Sequence, residues 1–472
     1  MTHTVEKIGG TSMSRLNELR DTLFIKNDEP EYGRIFVVSA FGGITNLLLE
    51  HKKTGAPGVY ARFANAEDDH GWFDALNEVS AAMIAAHEAV LDNAGDVAQA
   101  TAFVQERIEG ARNCLIDLQR LCSYGHFRLN THLLQIRELL SGLGEAHSAL
   151  VAVLMLQRAG VNARLVDLSG WRGDADMSLE QRIETALEGV DPAQEMPIVT
   201  GYAQCAEGLM REFDRGYSEV TFSQLAAQTG AREAIIHKEF HLSSADPKLV
   251  GAENARKLGH TNYDVADQMA NLGMEAIHPS AAKTLRQSGV PLRVTNCFEP
   301  NDPGTVIDEQ PAPKAAAEIV TGLDIIALEL FEQDMVGVKG YDAAVLDILT
   351  RHNVRIVSKV TNANTVTHYL DASLKSMRRV EADLLARFPQ AEVNSEKLSL
   401  ISVVGRDLSG LHVLARGMNA LEKKDILPRG ATQGPRNVDT QFILQREDKD
   451  AAIALLHSEF FGATESQALK AA

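Results

Sequence analysis

Chemistry gathers first at Lys7-Ile8-Gly9-Gly10-Thr11-Ser12. A β-prone run ends there in a lysine, two glycines and two hydroxyls. Paired glycines let backbone amides approach an anion closely, because no Cβ intervenes. The lysine supplies positive charge for phosphate oxygens, and Thr11 and Ser12 add donors. The lysine precedes the glycines and the G-x-x-x-x-G-K-[ST] spacing is absent, so this is not a Walker A loop. Alone, the stretch better suits a plain strand-to-helix turn. A second glycine pair, Gly42-Gly43, is flanked by Ser39 and Thr45. Further on, Arg215 stands beside Gly216 at a predicted helix start. A guanidinium there binds carboxylate or phosphate bidentately, but it could also pair with Asp214 or Glu219 on the surface. Glu145 follows Ser141-Gly142-Leu143-Gly144 and is read as opening a helix. In isolation that is a surface carboxylate matched to the helix dipole.

These residues need elements to hold them. Arg34 to Ala40 is a short apolar run bounded by turn residues, and reads as a buried strand. Ala163 to Leu168, Met196 to Gly201, Ala234 to His237 and Pro291 to Asn296 read the same way. Helical patterns fall at about 72–91, 98–122 and 130–142, then from Glu145 to Ala159, and from about 217 to Gln228. Glu207-Gly208 reads as a hairpin turn. Strands alternating with helices indicate an α/β sheet, and in such sheets ligands collect at the carboxyl ends of the strands. A proline-containing segment, Pro300 to Pro313, marks the main boundary. Beyond it a β-α-β-β-α pattern occurs twice, which suggests paired ferredoxin-like modules.

The whole chain sets limits. Its 472 residues imply two to four domains. A net charge of -18 argues against a nucleic-acid or anionic-membrane surface. No run of about 18 apolar residues is read, so neither nucleic acid nor membrane is expected as a partner and the setting is taken as cytoplasmic. Cys114, Cys122, Cys205 and Cys297 lack zinc-type spacing. His237 and His241 form an H-x-x-x-H with no completing ligand, so they are assigned to local packing and no metal site is expected.

Taken in order, the fragments resemble an aspartate kinase of the amino-acid-kinase family over nearly the whole chain. They are Lys7 to Ser12, Val37-Val38-Ser39-Ala40 with Gly43-Ile44-Thr45-Asn46, Gly144-Glu145-Ala146-His147-Ser148-Ala149, Arg215-Gly216-Tyr217-Ser218-Glu219, Asp246-Pro247-Lys248 and His278-Pro279. The resemblance implies an amino-acid-kinase-like α/β sandwich at 1–310, carrying a helical insertion at about 52–125. ACT-like modules would follow at 318–392 and 393–472. It implies transfer of the ATP γ-phosphoryl to the β-carboxylate of L-aspartate, with Mg²⁺ carried on the nucleotide. A kinase for another small carboxylate such as glutamate, or a catalytically weak amino-acid sensor, is the alternative.

The resemblance also implies roles. Lys7 meets the γ-phosphoryl and Glu219 orients Lys7. Gly9, Gly10, Thr11, Ser39, Ser218, His237, Lys238, Ser243, Asp246 and Lys248 serve ATP. Ser39, Thr45, Glu145, Arg215, Gly216 and Ser218 serve aspartate, with Glu145 on its ammonium and Arg215 on its α-carboxylate. Met335, Val336 and Gly337, facing Ser358, Asn362 and Asn364, would take an amino-acid effector, and the modules imply a homodimer or higher homo-oligomer. Tyr217, Glu219, Lys248 and Glu275 depart from the family pattern. Together the variants are similar to the branch associated with ectoine biosynthesis.

Overall fold

The computed structural model describes residues 3–25, 31–65, 71–173, 176–213, 216–274 and 276–462. It divides into two compact units. One holds Met1–His241 with Ile277–Asp308, the other Leu242–Ala276 with Glu309–Ala472.

In the first unit the strands are β1 (Thr4–Ile8), β2 (Arg34–Val38), β3 (Ala163–Val166), β4 (Met196–Thr200), β5 (Glu233–Lys238), β7 (Leu292–Asn296) and β8 (Thr305–Asp308); β6 (His260–Asn262) belongs to the second unit. Their order is β3-β4-β2-β1-β5-β7-β8. β1 lies between β2 and β5, parallel to both. Every residue of β1 and β2 is buried, as expected for parallel strands covered on both faces. The chain leaves β1 toward β2 on one side and returns as β5 on the other, so the carboxyl end of β1 is a topological switch point.

Strand alternation sorts the side chains. Lys7 is in register with Val37 and Ile236, and Ile8 with Val38 and His237. Lys7 and Lys238 therefore share one face, while Glu6 and His237 share the other. On that second face Glu6 is fully satisfied. Arg34 donates to both its oxygens at 2.7 and 2.9 Å, Thr4 Oγ1 donates at 2.8 Å, and His237 Nε2 lies 2.8 Å away. Burial alone would raise the Glu6 pKa, but Arg34 and His237 hold it well below the usual carboxylate range. A charge taken this deep is tolerable only with such partners.

The insertion is helical, with Val59–Ala64, Gly71–Glu88 and Ala94–Ser123. Two expectations are corrected. The segment after Glu207-Gly208 is a helix, Leu209–Phe213, and not a hairpin strand. The break expected at Ser141 to Gly144 does not occur, because one helix runs from Leu133 to Arg158. Gly142 and Gly144 sit inside it for close approach. A Cβ on Gly142 would stand 3.0 Å from the Tyr202 ring, and one on Gly144 would stand 2.9 Å from the Ala40 Cβ. This helix is also long and apolar enough to cross a membrane by length and composition. Its apolar residues are instead buried in the unit, against β3 and β4 among others.

The second unit is built on β9 (Ile319–Phe331), β10 (Arg355–Thr361), β11 (Thr365–Asp371), β12 (Glu392–Val404), β13 (Gly430–Gln433) and β14 (Asp439–Gln445), in the order β10-β11-β9-β12-β14-β13. The two long strands are shared. Ile326–Phe331 of β9 pairs with β11, whereas Leu398–Val404 of β12 pairs with β14, and β9 and β12 pair along their whole length. Each half is thus a four-stranded ferredoxin-like sheet with two helices. The second takes its fourth strand from the start of β9, which precedes it in the chain. Each half has its own apolar core, around Val345, Leu370 and Leu384 in one and Val403, Phe442 and Leu456 in the other. Leu242–Ala276 clusters with this unit. Ser244 Oγ lies 2.8 Å from His457 Nε2, and Thr261 Oγ1 donates to Glu318 at 2.6 Å.

Candidate active site

The carboxyl ends of β1, β2, β4 and β5 bring Lys7, Ser39, Gly201 and Lys238 to one side of the sheet. Lys7 is nearly buried and its Nζ donates to Glu219 Oε1 at 3.2 Å. Glu219 lies in the first turn of the helix Tyr217–Gln228, and its other oxygen accepts the backbone N–H of His278. Burial pushes the Glu219 carboxyl up, but Lys7, Lys238 and the His278 amide outweigh it and leave the pKa lowered. Glu219 therefore stays ionised at neutral pH.

Glu145 is 2 % exposed in mid-helix, which overturns its reading as a surface residue at a helix start. Burial pushes its carboxyl up to about 8. Lys7 opposes this most strongly, followed by the amides of Tyr202 and Ala40 and the Tyr217 hydroxyl. Its Oε2 has no hydrogen-bond partner among the described residues. A buried carboxyl with a free oxygen beside other charges is a site awaiting a cation. Gly201 makes room for it, since a Cβ there would stand 3.0 Å from Glu145 Oε2 and 2.8 Å from Ser218 Cβ.

The turns add further groups around these residues. Gly9 precedes the short helix Gly10–Met13, and a Cβ on Gly9 would meet nothing within 4 Å, so the space beside its Cα is open. Gly10 passes so close to the Ala40 carbonyl that a Cβ would stand 2.7 Å from it. Thr11 is exposed. Ser39 Oγ and Ser218 Oγ stand 3.5 Å apart, and Ser148 Oγ donates to the Ser39 carbonyl at 2.8 Å. That bond ties the Glu145 helix to the end of β2. Gly43 has φ +89 and turns the chain toward Thr45, which is half-buried. Gly216 packs against the His278 ring so closely that a Cβ would stand 2.4 Å from it.

The other predicted residues fall elsewhere. His237 points away from Lys7, with Nδ1 2.8 Å from Thr295 Oγ1 and Nε2 on Glu6. It supports the sheet. His241 does not converge with it, and lies 2.8 Å from Glu299 and 3.7 Å from Asp302. Ser243, Asp246 and Lys248 belong to the second unit. There Asp246 caps the helix Pro247–Val250, Ser243 Oγ donates to the Ala245 carbonyl and Lys248 is exposed. Arg215 and Glu275 lie outside the described residues.

In the first module, Met335 is buried, Val336 is 58 % exposed and Gly337 has φ +77. Asn362 Oδ1 accepts from the amides of Asn364 and Thr365 and closes the β10–β11 turn. Ser358, on β10, is half-buried.

Three residues were given no role by the sequence reading. Tyr202 follows Gly201 at the end of β4 and supplies an amide to the Glu145 carboxyl. Its position at a strand's carboxyl end was the available signal. Tyr217, counted only as a departure, places its hydroxyl at Glu145. His278 holds Glu219 through its backbone, which no side-chain pattern reveals.

Residues 3–296 match the model of the amino acid kinase family. The chain belongs to the amino acid kinase family. It is 50% identical to aspartate kinase Ask_Ect of Stutzerimonas stutzeri (strain A1501), over 96% of each chain. It is 24% identical to chloroplastic aspartokinase 1 of Arabidopsis thaliana, covering 97% of this chain and 80% of the relative. In fold it resembles E. coli aspartokinase III, solved in complex with aspartate and ADP. The TM-score is 0.71 at 22% identity, covering 97% of this chain and all of that one. For an amino acid kinase, Lys7 and Glu145 stand where the fold places chemistry, at the switch point of the sheet.

Proposed function

We infer that this amino acid kinase is an aspartate kinase, which transfers the γ-phosphoryl of ATP to the β-carboxylate of L-aspartate. The observation that carries this is Lys7 acting on two buried carboxyls, Glu219 ionised and Glu145 with a free oxygen. A substrate ammonium supplies the cation that Glu145 lacks. The α-carboxylate role of Arg215 rests on the motif Arg215-Gly216-Tyr217-Ser218-Glu219 alone.

In the reaction a β-carboxylate oxygen attacks the γ-phosphorus, the bond to the β–γ bridging oxygen breaks, and ADP leaves with its electrons. The carboxylate is already ionised at neutral pH, so no general base is required. The protein's task is positioning and neutralising charge. Lys7, fixed by Glu219, faces the transferring oxygens, and the amides of Gly9 and Gly10 with the Ser39 and Ser218 hydroxyls complete the phosphate end. Glu219 already holds Lys7 and the His278 amide, so Mg²⁺ fits best as an ion held on the phosphate oxygens. Lys238 and Thr11 are assigned to the nucleotide side, and Thr45 and Gly216 to aspartate.

The modules at 318–392 and 393–472 are read as the regulatory part of a homodimer, taking an amino-acid effector near Met335 to Gly337 and Ser358 to Asn364. The 50% identity to Ask_Ect supports a supply of 4-phospho-L-aspartate to ectoine or aspartate-family synthesis. Four free thiols suit a cytoplasmic setting.

ADP release against a panel of carboxylates tests the reading. L-Aspartate should support turnover, while glutamate and N-acetyl-aspartate should not. Equal turnover with the acylated substrate would remove the reason for Glu145.

A further inference from the structure

Two histidines that the reaction does not use are wholly buried behind Glu145. His87, in the last turn of the helix Gly71–Glu88, and His147, on the helix Leu133–Arg158, are each 0% exposed. His87 Nδ1 lies 3.1 Å from His147 Nε2, and His87 Nε2 lies 3.0 Å from Thr101 Oγ1 on the helix Ala94–Ser123. His147 Nδ1 has no partner among the described residues.

That inventory fixes the protons. If His147 carried its hydrogen on Nδ1, a buried N–H would be orphaned, which costs more than an idle lone pair. So His147 Nε2–H donates to His87 Nδ1, and His87 Nε2–H donates to Thr101. Both rings are neutral. Burial, with His87 adding to it, pushes His147 down to about 3, and burial lowers His87 as well.

The pair is placed to matter. His147 follows Glu145 by two residues, about 200° around the helix. Glu145 and Ser148 face the strands, while His147 faces the insertion. The His147 ring also meets Phe41 edge-on, with centroids 5.4 Å apart. Phe41 opens the turn that leads through Gly43 to Thr45. One ring therefore touches both the helix of Glu145 and the turn of Thr45, and His87 holds that ring from the insertion.

We propose that His87 is a positioning residue: through His147 it sets the Glu145 helix and the Phe41–Thr45 turn for aspartate, which makes the helical insertion a working part of the substrate site. The proposal rests on the reading of Glu145 as the partner of the substrate ammonium.

Steady-state kinetics on the full chain test it, with His87→Leu, His87→Asn and Glu145→Gln beside the parent. His87→Leu should raise the aspartate KM about tenfold and leave the ATP KM unchanged, since small misplacements at a substrate site are costly. His87→Asn places an oxygen where Nδ1 accepts, and should stay within about threefold of the parent on the same reasoning. A parental aspartate KM in His87→Leu, or equal rises in Leu and Asn, overturns the proposal. If His87→Leu gives no cooperative thermal transition, Thr101→Val takes its place. It removes the partner of Nε2 and should raise the aspartate KM alone, and an unchanged value overturns the proposal. Glu145→Gln separates the two readings. If it leaves the aspartate KM unchanged, the ammonium reading fails. If it raises KM while His87→Leu does not, only the positioning role fails.

Discussion

At the level of single residues the site is a balance of three charges, and Glu145 is the one out of equilibrium. Its carboxyl is pushed up to about 8 in the ligand-free enzyme, so at pH 6 it holds a proton that an incoming ammonium must displace. Aspartate binding is then coupled to proton release. The aspartate KM should fall as pH rises from 6 to 8, by up to about tenfold per unit, and level off above. Glu145→Gln should flatten that profile. Stability moves the other way. Between the ordinary value of about 4.5 and about 8 the folded chain is the better proton binder, so the ligand-free enzyme should lose Tm as pH climbs through that window, and Glu145→Gln should not. Glu219 gives a second prediction. Its two oxygens serve Lys7 and the His278 amide, and a side chain one methylene shorter cannot reach both. Glu219→Asp should lower kcat about tenfold with the aspartate KM nearly unchanged, because Lys7 acts on charge that develops in the transition state. A changed KM with kcat intact would mean that Glu219 serves binding.

Elements decide how these residues meet, and there the sequence was legible unevenly. Lys7, Gly9, Gly10 and Ser39 stood out because strand ends and glycine turns leave local patterns, whereas Glu219 was named only by the family resemblance. Glu145 could be named but not placed. Two glycines in four residues read as a helix break, whereas close packing on Tyr202 and Ala40 keeps the helix whole and carries Glu145 into the core. His237 misled for the opposite reason. The alternation of β5 turns it to the face of Glu6, and that register with β1 cannot be seen in one strand alone. Gly144→Ala tests the packing argument. Its Cβ would stand 2.9 Å from Ala40 and 3.0 Å from Ile44, so overpacking should cost about 1–3 kcal/mol. The Tm should drop by several degrees and the aspartate KM should rise, as the helix lifts from the turn that bears Thr45. An unchanged Tm would show that the contact yields freely.

Across the whole chain, the β-α-β-β-α rhythm was enough to foresee two ferredoxin-like modules, but not how they join. Helix and strand positions came from periodicity, whereas the exchange of β9 and β12 between halves is a long-range pairing that no local pattern carries. That pairing makes the halves interdependent. A chain ended after residue 390 would lose β12, leaving β9 as a bare edge and the first half without its fourth strand. It should express as aggregate. A soluble, monomeric product of that length would show that the first half folds alone.

The central claim is that this pocket makes an acyl phosphate on aspartate. Incubation with ATP, Mg²⁺, L-aspartate and hydroxylamine should yield aspartyl hydroxamate in step with ADP. ADP without hydroxamate, or hydroxamate from glutamate and none from aspartate, would contradict it.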